Sequence, residues 1–350
     1  MKNTIFIIWA LSIFSNSLYG QKNDDNWRIE EAGTTSPSFD DISYYKNQVL
    51  PFRNIIVLDK RFDSSKAGYA NVFGGRSKYT RIVPKNPWPG ILNNYFNRNL
   101  DSLSSQSLVI IIRSFWIQRG VIDELTSKKI VTKAAFGNTD FGGNCKAAID
   151  VYVQTDTSLQ ALFQIDTSFL SLISNLKKNR IEDFFFLPFD SVARRIATLN
   201  VDQVLSKKRK LTWTEVNNYY SNRFSLPILA AQSINKGIFL TFSDFKNNKP
   251  SAATFKFREG KLTDELYITD NGREDLLADY WGFCDDKGDL YIRSGFNAFK
   301  AIRQQNTFEL FGAKYVSNYQ NNPSQGSIKI SSYSLDEKIL QVNMDNGKIY

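Results

Sequence analysis

The run Ser107-Leu-Val-Ile-Ile-Ile-Arg-Ser-Phe-Trp116 constrains this chain more than any other stretch. Leu108 to Ile112 leave no polar side to face water, so a strand made of them is covered on both faces and lies centrally in its sheet. The run is too short to span a bilayer, which takes about 20 apolar residues in a helix. The remaining elements have to supply the two covering layers.

Asn54-Ile-Ile-Val-Leu-Asp59 reads as a second buried strand, with Asp59, Lys60, Arg61 and Asp63 placed to form ion pairs at its exit. Beyond Pro87 and Pro89, the residues Trp88, Ile91, Leu92, Tyr95, Phe96 and Leu100 recur at the spacing of one buried helix face. Gly137 to Asn144 reads as a loop. Cys145 to Val153 then alternates, with Ala147, Ile149, Val151 and Val153 on one face, and Leu159 to Ile165 repeats the alternation with Ala161, Phe163 and Ile165 inward. Joined by Gln154 to Ser158, the two runs form an antiparallel hairpin. Val192, Ile196 and Leu199 begin a helical pattern, and Thr212-Trp-Thr-Glu215 is a capping box opening a helix whose apolar side holds Val216, Tyr219 and Tyr220. Pro227 closes the last ordered stretch of this half.

A second half begins at the run Lys236 to Pro250. Gly237 to Phe242 reads as a buried strand, Ser243 as the cap of a short helical turn, and Asn247-Asn248-Lys249-Pro250 as a stop. Short strands follow around Phe255, Glu265 to Ile268, Trp281 to Asp285, Asp289 to Arg293, Phe308 to Phe311, Gly312 to Val316, Ser327 to Ser332 and Ile339 to Met344, with turns at Asp270-Asn-Gly272 and at Asp345-Asn-Gly347, the latter leading into a final short strand, and a polar loop from Asn318 to Gly326. The expected fold is α+β: an α/β-layer domain with a mixed sheet and packed helices over residues 44–232, then a smaller, mostly β domain over 233–350. Residues 21–43 read as a flexible polar arm with order beginning near Tyr44, and residues 1–20, with Lys2 and an apolar centre from Ile5 to Phe14, as a signal peptide cleaved near Gly20.

The chain contains no histidine, which removes the commonest general base, the commonest zinc ligand and any Ser-His or Cys-His nucleophile. No cofactor or metal is expected. Ser243-Asp-Phe-Lys246 fits the S-x-x-K pattern of acyl-transfer enzymes but has no companion K-T-G strand, so the serine reads as a cap. Asp285, Asp286 and Asp289 lack the ligand spacing of a calcium loop and read as a hairpin tip. An exported chain would allow Cys145 and Cys284 to pair, closing a loop worth about 4–5 kcal/mol in the chain-entropy account; two buried thiols are the alternative. The net charge is +9, of which Lys2 lies in the leader and the rest before residue 236, because 15 Lys/Arg balance 15 Asp/Glu from Lys236 onward. The densest basic run is Lys207-Lys208-Arg209-Lys210, either a solvated helix end or an anion-binding patch.

The order of Asn54–Asp59, Trp88–Leu100, Leu108–Trp116 and the hairpin resembles the periplasmic domain shared by outer-membrane assembly and auxiliary lipoproteins, including the curli-secretion and transport-auxiliary families. It covers roughly residues 50–205; the lipid-attachment cysteine of those families is missing. Gly237, Phe239, Phe242, Asp244, Phe245, Asn247, Asn248 and Pro250, with Trp281-Gly-Phe and Leu290-Tyr-Ile, resemble a module of uncharacterised exported bacterial proteins. Trp281-Gly-Phe-Cys-Asp-Asp-Lys-Gly is also similar to a single WG-type hairpin repeat. With the leader, these resemblances imply an exported envelope protein, periplasmic or extracellular; the short apolar segment implies no transmembrane anchor, and the charge asymmetry an anionic surface as partner beside another envelope protein, in a binding role with no nucleic acid expected. Candidate contact residues are Lys207, Lys208, Arg209, Lys210, Asp244, Asn247, Asn248 and Trp281. The rival expectation is a hydrolase acting on an extracellular polymer through paired carboxylates.

Overall fold

The computed structural model describes residues 30–37, 49–72, 78–96, 100–121, 141–172, 181–260, 263–322 and 327–350. Its fold is α+β. The first sheet takes every strand up to residue 212: β1 (Glu30–Thr35), β2 (Asn54–Asp59), β3 (Gly68–Val72), β4 (Lys78–Ile82), β5 (Ser107–Val121), β6 (Phe141–Thr155), β7 (Ser158–Leu172) and β8 (Leu211–Thr212). They run in the order β1-β4-β3-β5-β6-β7-β8, with β2 also paired to β5. As the unbroken apolar run requires, β5 is central, and Leu108 to Ile112 are each 0% exposed. Two helices, α1 (Trp88–Phe96) and α2 (Ile181–Thr198), cover one face, where Trp88, Leu92, Phe185 and Phe189 pack on Ile110, Ile112, Ile149 and Val151.

One irregularity in β5 decides what covers the other face. The β5–β6 register slips between Ile112 and Ser114, leaving Arg113 as a bulge. An extra residue reverses the alternation of every side chain after it. Thus Leu108, Ile110 and Ile112 share the helix-covered core with Phe115 and Ile117, while Val109 and Ile111 face away from it and so does Trp116. At the same point β5 changes its parallel neighbour, from β2 at Ile112 to β3 at Ile117, and the chain between those strands, residues 60–67, leaves the sheet.

Short helices α3 (Val201–Leu205), α4 (Trp213–Asn222) and α5 (Pro227–Ala230) complete the first half. The predicted capping box is present, with the Thr212 side chain accepting from the Glu215 amide and the Glu215 carboxylate accepting from the Thr212 amide. Helix α4 lays Val216 and Tyr220 over Val109, Ile111 and Tyr152.

In the second half, β9 (Gly237–Phe239) leads into α6 (Phe242–Lys246), followed by β10 (Phe255–Arg258), β11 (Glu265–Asp270), β12 (Arg273–Leu276), β13 (Gly282–Cys284), β14 (Leu290–Ser294), β15 (Asn297–Gln304), β16 (Thr307–Asn322) and β17 (Ser327–Gln341). Six form an antiparallel sheet, β17-β16-β15-β14-β13-β9, and β10-β11-β12 form a small one packed on Ile238 and Phe283. The turn at Asn271-Gly272, both at positive φ, closes β11 on β12 as its sequence predicts.

Several expectations are corrected. The polar stretch ahead of Tyr44 contains β1, an edge strand paired in parallel with β4 through its backbone, which needs no apolar side chains; Tyr44 and the leader lie outside the described residues. Phe141 to Asn144 belong to β6, while 137–140 lie outside the described residues. A bulge between Val151 and Tyr152 puts Leu162 with Phe163 and Ile165 in the main core and turns Ala161 to the α4 side. Helix α2 begins eleven residues ahead of the Val192 pattern, carrying Pro188 within it. Tyr219 is exposed, and Pro227 opens α5. Phe242 lies in α6, and its cap is Thr241, not Ser243. Strand β15 has no counterpart in the expected elements, and β16 continues through Gly312 and into Asn318–Asn322, where a loop was expected. The strands expected at Ser327–Ser332 and Ile339–Met344 merge over Ser327–Gln341 into β17.

Candidate functional site

The residues of the Gly237–Pro250 module prove to be architectural. Gly237 sits at φ 136°, and a Cβ there would lie 2.5 Å from the Ala252 carbonyl oxygen and 2.7 Å from the Pro250 ring. Asp244 accepts from the Thr241 amide at 2.8 Å. The Asn247 amide donates to the Ser243 carbonyl at 2.8 Å. Asn248, at φ 51°, accepts from the Asn235 amide at 2.8 Å and donates to the Ser233 carbonyl at 3.1 Å. The Trp281 ring packs tilted against Phe245 with ring centroids 4.3 Å apart. Of the proposed contact residues, Asp244, Asn247, Asn248 and Trp281 are therefore brought together, but each is engaged in holding the β9–α6 corner.

The carboxylates of the β13–β14 hairpin are also committed. Asp285 accepts from the Lys287 and Asp289 amides at 2.9 Å each, Asp289 pairs with Lys300 at 2.8 Å, and Asp286 pairs with Lys236. Among the described residues no cluster of three or more acidic or thiol side chains is placed to hold a metal. Both cysteines are free thiols in separate cores, Cys145 beneath α2 and Cys284 beneath α6, in place of the Cys145–Cys284 bridge considered from the sequence. Burial pushes the Cys145 thiol well up, and burial with the nearby Asp285 and Asp289 pushes Cys284 up to about 11.

The basic run is arranged differently. Lys207, Lys208, Arg209 and Lys210 follow α3 and are all exposed. Buried Gln160 on β7 donates from its amide to both the Leu205 and Lys208 carbonyls at 2.9 Å, pinning the backbone from which these side chains project. Arg209 pairs with Glu215; among the described residues no ion pair engages Lys207, Lys208 or Lys210. Lys208 and Lys210 line an open cleft of about 440 Å³, with Asp156 of the β6–β7 turn, Asp202, Gln106 and Gln160. Its two carboxylates are exposed, not set in an apolar pocket of the kind that tunes a general acid.

A second cluster, which sequence spacing did not reveal, lies buried between the halves. The chain leaving β2 makes a turn in which Arg61 grips Asp59 with two bonds of 2.9 and 2.7 Å, as the expected strand-end ion pairing implies. Phe62 inserts into the core of the second sheet beside Phe239 and Phe308. Lys66 then lies 3.0 Å from Asp63 and 2.8 Å from Glu309 of β16, with all three side chains at most 2% exposed. Tyr69 donates to Glu309 at 3.1 Å. Nearby, Arg113 reaches Asp150 at 2.9 Å, and Tyr220 donates to the same carboxylate. Arg223 clamps Asp345 with bonds of 2.7 and 2.8 Å and donates to the Lys60 carbonyl at 2.9 Å. Tyr69, Tyr79 and Trp116 meet Ile339 and Tyr350 across the same junction.

Neither a protein-family model nor a curated protein matches the sequence. Among solved structures, the crystal structure of protein XCC0632 from Xanthomonas campestris, of family DUF330, is similar at 10% identity and a TM-score of 0.25, over 55% of this chain and 98% of that one. A likeness at that score carries no argument about this chain. Among the described residues no helix is long and apolar enough to cross a membrane.

Proposed function

We propose that this chain is a non-enzymatic binding protein of the bacterial envelope, exported through its N-terminal leader, which engages an anionic surface through Lys207–Lys210. The observation that carries this reading is the fixed basic rim of the cleft. Its backbone is held by Gln160, three of its four cations are uncommitted among the described residues, and it stands in the half of the sequence that holds the whole positive excess. Surface cations on an ordered frame attract phosphate or carboxylate groups with no ordering of the backbone on binding. The β9–α6 module supports a scaffold role for the second half, since its motif residues hold one another. The hydrolase alternative has no feature that favours it: the cleft carboxylates are exposed, buried Asp63, Asp150 and Glu309 are in ion pairs, and buried Asp264 is held by the Gly260 and Ala298 amides.

The test is binding of the protein to vesicles containing phosphatidylglycerol, to an acidic polysaccharide and to duplex DNA, at about 0.01 M and about 0.15 M salt. The reading predicts binding to the vesicles or the polysaccharide that weakens steeply with salt. Binding to none of the three at low salt would reduce the charge excess to a solubility feature.

A further inference from the structure

The absence of histidine leaves the usual side-chain sensor of the pH 5–8 range out of this protein, yet its buried interface holds more carboxylates than cations. At the centre, Asp63 and Glu309 share the single ammonium of Lys66, at 3.0 and 2.8 Å, while Tyr69 donates to Glu309 and the Ser65 amide and hydroxyl donate to Asp63 at 2.8 and 2.6 Å. On the neighbouring strands Glu309 faces Ile302 of β15 and Gln341 of β17, neither of them charged. Two desolvated carboxylates around one cation carry a net negative charge, and one added proton cancels it.

We propose that the Asp63–Lys66–Glu309 cluster is a proton-binding latch that holds the two halves of the protein together more firmly in mildly acidic than in neutral or alkaline medium. Glu309 comes from β16 in the second half, whereas Asp63, Lys66 and Tyr69 come from the chain that leaves β2 and forms β3. Separating the halves would return Glu309 to water and to its ordinary acidity, so the proton is held by the closed form. Burial raises the Glu309 pKa in the closed form, with Asp63 adding to it and Lys66 and Tyr69 opposing. A carboxyl whose closed-state pKa is raised contributes stability that is present below its open-state value, about 4.3, and is lost as pH rises through the closed-state value. Each unit of difference between the two states changes the closing equilibrium about tenfold.

Among the described residues Asp190 is the other carboxyl that burial raises: half-buried on α2, it accepts from Tyr95, away from the interface. The experiment is urea unfolding of the full chain at pH 5.5, 6.5 and 7.5, for the wild type, E309Q and D190N, with hydrogen exchange of the Tyr69 and Leu310 amides followed in parallel. The latch predicts that the wild-type unfolding constant rises with pH, that D190N keeps this slope, and that E309Q, which retains the shape and hydrogen bonding of the carboxyl without its titration, loses it. Parallel pH slopes for the wild type and E309Q, or a slope lost only in D190N, would overturn the proposal. Should E309Q not fold, the wild type still decides: interface amides whose protection, corrected for intrinsic exchange, does not fall between pH 5.5 and 7.5 would refute it.

Discussion

Replacing Arg223 by alanine should loosen the junction between the two halves more than any single surface change. Arg223 follows the last turn of α4 and is 9% exposed; its partner Asp345, in the turn after β17, is 19% exposed. Besides the two bonds to Asp345, it donates to the Lys60 carbonyl at 2.9 Å and to the Arg113 carbonyl at 3.3 Å, and its guanidinium lies 4.9 Å from the Phe62 ring centroid. Removing one member of a buried pair typically costs 3–5 kcal/mol, because the other charge is left without its partner. Asp345 keeps some access to water and a weaker contact with Arg113 at 3.5 Å, so the expected loss is about 3 kcal/mol, at the low end of that range. With a slope of about 3 kcal/mol per molar urea, the midpoint should fall by about 1 M. Arg223→Lys keeps the charge but loses the planar fork, and should lie between the two. A double-mutant cycle with Asp345→Asn isolates the pair, with a coupling of about 1.5–3 kcal/mol expected. An Arg223→Ala protein within about 0.5 kcal/mol of the wild type, beyond which a surface change seldom reaches, would refute this account of the junction.

Other outcomes follow from the same geometry. Gly237→Ala should destabilise by at least about 2–3 kcal/mol, since it puts a side chain at positive φ against Pro250 and the Ala252 carbonyl; an unchanged melting temperature would contradict this. Cys145 and Cys284, buried and with raised thiol pKa values, should react with an aromatic disulfide reagent at pH 8 only after urea is added, and prompt reaction of either in the native protein would show the cores to be open.

Much of the fold could be read from the sequence where the signal was local. The aliphatic run marked β5 as central, the helix spacing of Trp88 to Phe96 named the buried face of α1, and Thr212 to Glu215 announced the cap of α4. The failures share a physical cause. A bulge such as Arg113 changes side-chain parity without changing composition, and long paired strands tolerate Gly312 and polar residues because the ladder is made of backbone. Helix α2 extends eleven residues ahead of the Val192 pattern and carries Pro188 inside it, a residue that normally marks a helix end. The interface charges come from residues 59–69, 113, 150, 223, 309 and 345, which only the folded chain brings together; their one local trace was the density of charge just after β2. The Gly237–Pro250 motif was visible, but its spacing could not say whether the residues face a ligand or one another.

The most direct test of the binding account compares K207E/K208E/R209E/K210E with a control carrying K249E and K287E, two exposed positions in the second half, by flotation with phosphatidylglycerol-containing vesicles and by binding to the acidic polysaccharide at low salt. Each basic residue near an anionic surface contributes about 1 kcal/mol, and Arg209 less because Glu215 already holds it, so the fourfold reversal should weaken binding by a hundredfold or more, about 3 kcal/mol, with the melting temperature unchanged. The control should bind as the wild type does. Equal binding by the wild type and the fourfold variant would contradict the assignment of Lys207–Lys210 as the contact surface.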